Sequence, residues 1–242
     1  MKKNKVLILG DGLLATELAK QSGFDILSRK QDKFDITDTS TYYLMTKLEF
    51  GAIHYCEYNV IINTIACTDT YSIDRETHWN VNYKGVSDLV DFCNEWKIKL
   101  IHIVTDYVYA NSIPNASEQD VPVHCNNWYG YTKLLGDAHV QLKCNEYLLI
   151  RSTHKPTPFL HESAWTDQIG NFDYVDIIGS KILNLVKTNQ IGIFNVGTCE
   201  KSMYELAEKT NPDVKKGKVE KSSSVPHNVT MNLNKEKNML DD

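Results

Sequence analysis

The sequence predicts an α/β protein: a doubly wound parallel sheet of Rossmann type with a small C-terminal lobe. Three observations carry that expectation. Short continuous apolar runs, suited to strands buried on both faces, recur through residues 1–151. Stretches of helical composition alternate with them, which implies parallel strands joined by right-handed crossovers. The first apolar run leads into a glycine-rich turn and then a helix.

That run is Val6-Leu7-Ile8-Leu9, and the turn is Gly10-Asp11-Gly12-Leu13-Leu14-Ala15. In a strand–turn–helix setting Gly10 permits the tight turn. Gly12 lets the backbone approach a pyrophosphate, and the small Ala15 lets helix and strand pack closely. Glycines can also simply end a strand, but their place at the start of a strand–helix unit favours nucleotide binding, with Leu13 and Leu14 beside it. Asp11 is out of keeping, since a carboxylate gains nothing from a phosphate. Phe24 to Leu27 reads as the second strand, ending in Ser28-Arg29-Lys30. A site for NAD usually ends this strand with an acid. Two cations and a hydroxyl suit a 2′-phosphate instead, so NADPH is favoured and NADH is the alternative. A solvated basic turn would explain the same residues. Phe34 to Asp38 reads as a short strand and turn, with Asp35 and Ile36 placed to border an adenine. Asp38 or Thr39 would cap a helix from Ser40 to Phe50, which carries Tyr43 and Lys47 on a peripheral face.

Asn59 to Ala66 is another buried strand. The polar loop Cys67 to Ile73, with Thr68, lies at its carboxyl end, where open α/β sheets bind ligands. One long helix is expected from Arg75 to Trp96, with an apolar face through Val81, Val86, Leu89, Val90 and Phe92. The strand Lys99 to Val104 then delivers Thr105 and Asp106 to the same edge, with His102 as a core residue. Ala110 to Asn127 reads as an ordered loop across the strand ends. A helix from Tyr129 to Leu142 follows, then the strand Tyr147 to Arg151. Tyr129 and Lys133 stand four residues apart at the helix start, so they share a face. An ammonium beside a phenol lowers its pKa and makes a proton donor for use near neutral pH. Beyond Arg151 the pattern loosens. Ser152 to Phe172 has little regular signal. Val175 to Val186 and Met203 to Lys209 read as helices, and Ile191 to Val196 reads as a strand that rejoins the main sheet. Lys215 to Ser224 reads as a solvated loop.

Composition excludes several classes. The 242 residues are 42% hydrophobic and 24% charged, as in ordinary globular proteins. A net charge of −5 disfavours nucleic acid as a partner. No apolar run reaches membrane-spanning length. The six cysteines are scattered without Cys-x-x-Cys, which suits reduced thiols in a cytoplasmic protein, and the histidines show no metal spacing.

Val104-Thr105-Asp106-Tyr107-Val108-Tyr109 and Tyr129-Gly130-Tyr131-Thr132-Lys133-Leu134-Leu135-Gly136-Asp137, with the N-terminal glycine turn, resemble the extended short-chain dehydrogenase/reductase superfamily. Within it the chain is most similar to dTDP-4-dehydrorhamnose reductases. Asn63 to Ala66, Asn80-Val81-Asn82, Asp167 to Gly170 and Gly192 to Gly197 also match that pattern. Two departures stand out. The glycine loop is one residue shorter than the family's, and Ser152-Thr153-His154 stands where the family usually has Thr-Ser-Trp, with the tryptophan on the sugar.

The resemblance implies a dinucleotide-binding domain at 1–151 and a reduced substrate lobe at 152–242. It implies an NAD(P)H-dependent reductase of a nucleotide-linked keto-sugar. Tyr129 would protonate the developing alkoxide, Lys133 would lower the tyrosine pKa and hold the nicotinamide ribose, and Thr105 would orient the carbonyl. Thr64, Ile65 and Ala66 would line the cofactor site; Thr68, Asp106 and His154 would meet the substrate. A homodimer is compatible with the sequence. Two rivals remain. One is a non-catalytic NADP-binding regulatory protein, as the regulatory subunit of methionine adenosyltransferase exemplifies on this scaffold. The other is a reductase of a non-sugar carbonyl.

Overall fold

The computed structural model describes residues 4–49, 53–72, 74–110, 112–120, 127–221 and 223–241. Six parallel strands form the main sheet: β1 (Val6–Leu9), β2 (Asp25–Leu27), β3 (Val60–Asn63), β4 (Lys99–Ile103), β5 (Tyr147–Arg151) and β6 (Gly192–Asn195). Their spatial order is β6-β5-β4-β3-β1-β2. The order reverses beside β1, with β2 on one side and β3 on the other. At such a switch point the loops diverge and leave a crevice outside the carboxyl ends of the strands.

The central strands are mostly apolar because both faces are covered, and β1 is apolar at every position. Leu7 and Leu9 face one core with Val86, Leu89 and Val90 of the helix Gly85–Trp96. Val6 and Ile8 face the other, with Leu14 and Leu18 of α1 (Leu13–Ser22) and Ile178 and Ile182 of the helix Val175–Lys187. Alternate residues of one strand therefore serve opposite layers. A third apolar cluster is built on Phe159, Phe172, Tyr174 and Leu206.

The structure departs from the sequence reading in five places. Phe34 to Asp38 forms no strand; Phe34 and Ile36 are buried from irregular backbone. The expected helix Ser40 to Phe50 is a 3₁₀ turn, Thr39–Met45, followed by a small hairpin of Lys47–Glu49 and Ile53–Tyr55. Its last residue, Phe50, lies outside the described residues, and Tyr43 and Lys47 share no helix. The long helix is α2 (Arg75–Trp79), a π turn (Asn80–Lys84) and α3 (Gly85–Trp96). Lys215–Gly217, read as part of a loop, pairs with Ser163–Trp165. The segment read as unpatterned also contributes Ile169–Gly170, which pairs with Lys201–Ser202 and Asn228–Val229. Two-residue strands are too short to show a period. Of the loop expected from Ala110 to Asn127, residues 111 and 121–126 lie outside the described residues, as does Ile73 of the Cys67–Ile73 loop.

The helix with Tyr129 and Lys133 is α4 (Trp128–Lys143), and Val175–Lys187 is α5. The Asn127 side chain caps α4 by accepting from Gly130 N at 3.0 Å. Gly136 lets α4 approach the π turn: a Cβ there would lie 2.5 Å from the Asn82 carbonyl oxygen. Asp137 fixes the helix to β5 through a buried ion pair with Arg151, with Nε–Oδ2 at 2.8 Å and Nη2–Oδ1 at 3.1 Å. Arg151 also donates to Tyr109 Oη at 2.7 Å, and Tyr109 donates to Asn195 Oδ1 of β6 at 2.8 Å. This network joins α4, β5 and β6. Among the described residues no helix is long and apolar enough to cross a membrane.

Candidate active site

The turn after β1 requires its first glycine. Gly10 has φ +112°, and a Cβ there would sit 2.7 Å from Thr64 Oγ1. Only glycine adopts that backbone at little cost. Thr64 in turn donates to the Leu9 carbonyl oxygen at 2.8 Å, which locks the end of β3 to the end of β1. Gly12 is the N-cap of α1 and supplies no capping side chain. The first amides of α1 are thus left for an anion, and the positive end of the helix dipole adds to the attraction. Among the described residues, its chain neighbours aside, no atom lies within 4 Å of where a Gly12 Cβ would be.

One cleft of about 620 Å³ opens at these strand ends. It is lined by Gly10, Gly12, Leu13 and Leu14 of the turn, and by Arg29, Asp35 and Ile36. Thr64, Ile65, Ala66 and Thr68 come from the end of β3; Thr105, Tyr129, Lys133 and His154 complete the reacting end. Three residues named from sequence lie elsewhere. Ser28 is fully buried as the N-cap of the turn Arg29–Asp32, accepting from Gln31 N at 3.2 Å. Lys30 is exposed and does not line the cleft. Asp106 is fully buried behind Thr105. Arg29 pairs with Asp35, Nε to Oδ2 at 3.2 Å. Burial pulls the Asp35 carboxyl up, but hydrogen bonds from Thr37 and the Arg29 charge outweigh it and hold the group below its ordinary value.

At the reacting end Tyr129 is half-buried, with its ring edge-on to Tyr107 at 5.9 Å and to His78 at 6.3 Å. Burial pushes its phenol up to about 12, and a hydrogen bond with Thr105 offsets only part of that. The Lys133 ammonium donates to the Ile103 carbonyl oxygen at 2.7 Å, and burial pulls its own pKa down to about 8. The expectation of a phenol brought down toward neutral pH is not met in the resting cleft: helical spacing puts both residues on one face, but burial outweighs the influences that lower the phenol. Thr105 Oγ1 donates to Asp106 Oδ1 at 3.2 Å and accepts from Tyr107 N at 3.2 Å. Thr153 also donates to Asp106 Oδ1, while among the described residues Asp106 Oδ2 has no hydrogen-bond partner. Burial lifts the Asp106 carboxyl to about 6 against these bonds and the nearby Lys155 charge. His154 is pushed down to about 4, first by burial and then by Lys155.

The loop Cys67 to Thr70 is held from the π turn. Asn82 Oδ1 accepts from Cys67 N at 2.9 Å, and Asn82 Nδ2 donates to the Cys67 carbonyl oxygen at 3.0 Å and to Thr132 Oγ1 of α4 at 3.2 Å. Asn82, on the π turn, thereby ties both elements together. His102 is fully buried, bonded to Asn63 Nδ2 at 3.2 Å and held well below its ordinary pKa by burial. It is a core residue, as its strand position implied. Among the described residues no cluster of potential metal ligands occurs.

Residues 4–154 match the family model described as the RmlD substrate binding domain. The chain belongs to that family. The spore coat polysaccharide biosynthesis protein SpsK of Bacillus subtilis (strain 168) is 25% identical over 227 residues, covering 84% of this chain and 77% of that protein. A solved structure of dTDP-4-dehydrorhamnose reductase from Bacillus anthracis in complex with NADP matches with a TM-score of 0.80 at 24% identity, covering 98% of this chain and 93% of that one. The Bordetella bronchiseptica enzyme WbmH in complex with NAD+ matches with a TM-score of 0.75 at 12% identity, covering 96% and 90%. At these identities the structural likeness speaks for a shared Rossmann-like fold.

Against the background of the RmlD family, sequence reasoning missed part of the cleft wall. Thr70, Tyr107, Lys155 and His161 line it as well. Lys155 and His161 come from the stretch without periodic signal, where neither strand nor helix pattern assigns a side chain to a face. Tyr107 adjoins the Thr105-Asp106 motif and was within reach of it.

Proposed function

We propose that the protein is an NADPH-dependent reductase of a keto-sugar, carried as a nucleotide-linked 4-keto-6-deoxy sugar, with Tyr129 as the proton donor. The observation that carries this reading is the meeting of Thr105, Tyr129 and Lys133 in the same cleft as the uncapped N-terminus of α1. Family membership supports it, as do the NADP and NAD bound to structural neighbours.

The residues present fit a nicotinamide dinucleotide. The space beside Gly12 and the free amides of α1 suit its diphosphate. Arg29 suits a 2′-phosphate, and its pairing with Asp35 places that cation at the edge of the cleft. Lys133 suits the nicotinamide ribose. When bound, the cofactor supplies the reducing equivalent to the carbonyl carbon. Tyr129 then gives its proton to the developing alkoxide. A phenol at about 12 remains protonated throughout the neutral range, and an alkoxide is basic enough to take its proton. Thr105 orients the carbonyl oxygen by turning its hydroxyl from Asp106 toward the substrate.

The test is NADPH oxidation followed with a panel of nucleotide-linked keto-sugars, on the wild type and on Tyr129→Phe. Turnover by the wild type that disappears in the variant, with NADPH affinity retained, is expected. An equally active phenylalanine variant would sink the assignment. NADPH binding with no oxidation by any substrate would favour a non-catalytic NADP-binding role, for which the capture of Lys133 by a backbone carbonyl is the supporting observation.

A further inference from the structure

The cations on the cleft wall are not equivalent. Arg29 is paired with Asp35, and Lys133 donates to the Ile103 carbonyl oxygen. Lys155 lines the same cleft and is half-buried, yet among the described residues its ammonium makes no hydrogen bond and no ion pair within contact distance. An ammonium carries three N–H donors, and withdrawing them from water without partners is costly. A bound anion would relieve that cost.

A lone half-buried lysine would tend to discharge, and burial does lower the pKa of Lys155. Asp106 opposes this. Its carboxylate is close enough to favour the charged ammonium, but it does not line the cleft and its Oδ1 is occupied by Thr105 and Thr153. The counter-ion therefore helps keep Lys155 charged without covering it. The backbone of His154–Lys155 is fixed by parallel pairing with Asp173–Tyr174, which holds the lysine at the wall.

We propose that Lys155 is an anion-binding residue of the cleft that takes a phosphoryl oxygen of a bound diphosphate. The inference deepens the reductase reading and rests on it for the two molecules that bring a diphosphate: the dinucleotide and the nucleotide-linked sugar. The uncapped N-terminus of α1 already offers donors to the first. Lys155 stands on the wall with Thr105 and His154, so the second is the source to separate from it.

The experiment compares wild type, Lys155→Met and Lys155→Arg by calorimetric titration with inorganic pyrophosphate, with NADPH and with dTDP-glucose. Thermal melting checks that the variants are folded, and Lys155→Gln replaces the methionine variant if that one is not. A charged hydrogen bond lost from a cleft lowers affinity by about ten-fold or more, so Lys155→Met should weaken pyrophosphate by that factor and Lys155→Arg should restore most of it. Parallel loss for dTDP-glucose alone assigns the diphosphate to the sugar nucleotide; loss for NADPH alone assigns it to the dinucleotide. Wild-type protein that does not bind pyrophosphate, or a methionine variant that binds all three ligands as the wild type does, overturns the proposal. Lysine-dependent pyrophosphate binding in a protein that oxidises no NADPH would count against the reductase reading and leave this one standing.

Discussion

Lys133 Nζ lies 2.7 Å from the carbonyl oxygen of Ile103, at the end of β4. The bond fixes the ammonium at the floor of the cleft, one helical turn from Tyr129, and burial brings its pKa to about 8. The sign of the pH effect follows. Between about 8 and the ordinary lysine value the folded protein has released a proton that the unfolded chain still holds. Stability should therefore rise with pH across that window. Lys133→Met should make the rise smaller, as read by urea unfolding at the two ends of the window; the lowered Lys99 and Lys155 contribute the remainder. A methionine variant whose stability still rises as the wild type's does would show that other groups account for the whole rise.

Tyr129→Phe tests the acid directly. General acid catalysis contributes about 10² to 10⁴ in rate, so kcat should fall by that range while the Kd for NADPH is unchanged. Because burial holds the phenol at about 12, the wild-type reduction rate should show no tyrosine limb in the neutral range. A loss of rate centred below about 9 that persists in Lys133→Arg would contradict the raised value.

How much was legible beforehand follows from where each residue's surroundings come from. Val6 to Leu9 and Val60 to Ile62 were readable because a strand covered on both faces runs apolar without alternation. The glycine turn was readable because its φ and its spacing to α1 are local. Phe34 was misread: an apolar residue between polar ones resembles a strand, whereas here it reaches the core from irregular backbone. Ser28 and Lys30 looked like phosphate ligands because sequence shows their charge and polarity but not their direction. Lys155 was passed over because its cleft position arises from pairing with Asp173–Tyr174, which no local pattern encodes.

Gly10→Ala should be among the most damaging small substitutions in the first half of the chain. The added Cβ meets Thr64 Oγ1 at 2.7 Å and forces a left-handed φ of +112° on alanine. Strained backbone of this kind costs about 1–3 kcal/mol, which a thermal melt will detect. The clash and the backbone strain are separable. Gly10→Ala combined with Thr64→Ala relieves the contact but not the φ, so it should recover only part of the lost stability. Full recovery would mean that the hydroxyl contact alone made glycine necessary.

Asp106 offers the last test, because its two oxygens are treated differently. Oδ1 accepts from Thr105 and Thr153; Oδ2 is buried with no partner among the described residues. Burial is the dominant influence and lifts the carboxyl to about 6, above its unfolded value. From the ordinary carboxylate range up to that value the folded state holds a proton that the unfolded chain has lost. The stabilisation is thus fully present below the unfolded pKa and is lost as pH rises through about 6. Asp106→Asn carries no such proton, so the stability of wild type relative to the variant should be greater at about pH 4 than at pH 7. The same change leaves Thr105 with an uncharged acceptor, from which its hydroxyl turns to a substrate carbonyl at less cost. Turnover should hold or rise while cofactor affinity is unchanged. A large fall in kcat in the folded variant would show that the carboxylate serves the reduction beyond its place as counter-ion of Lys155.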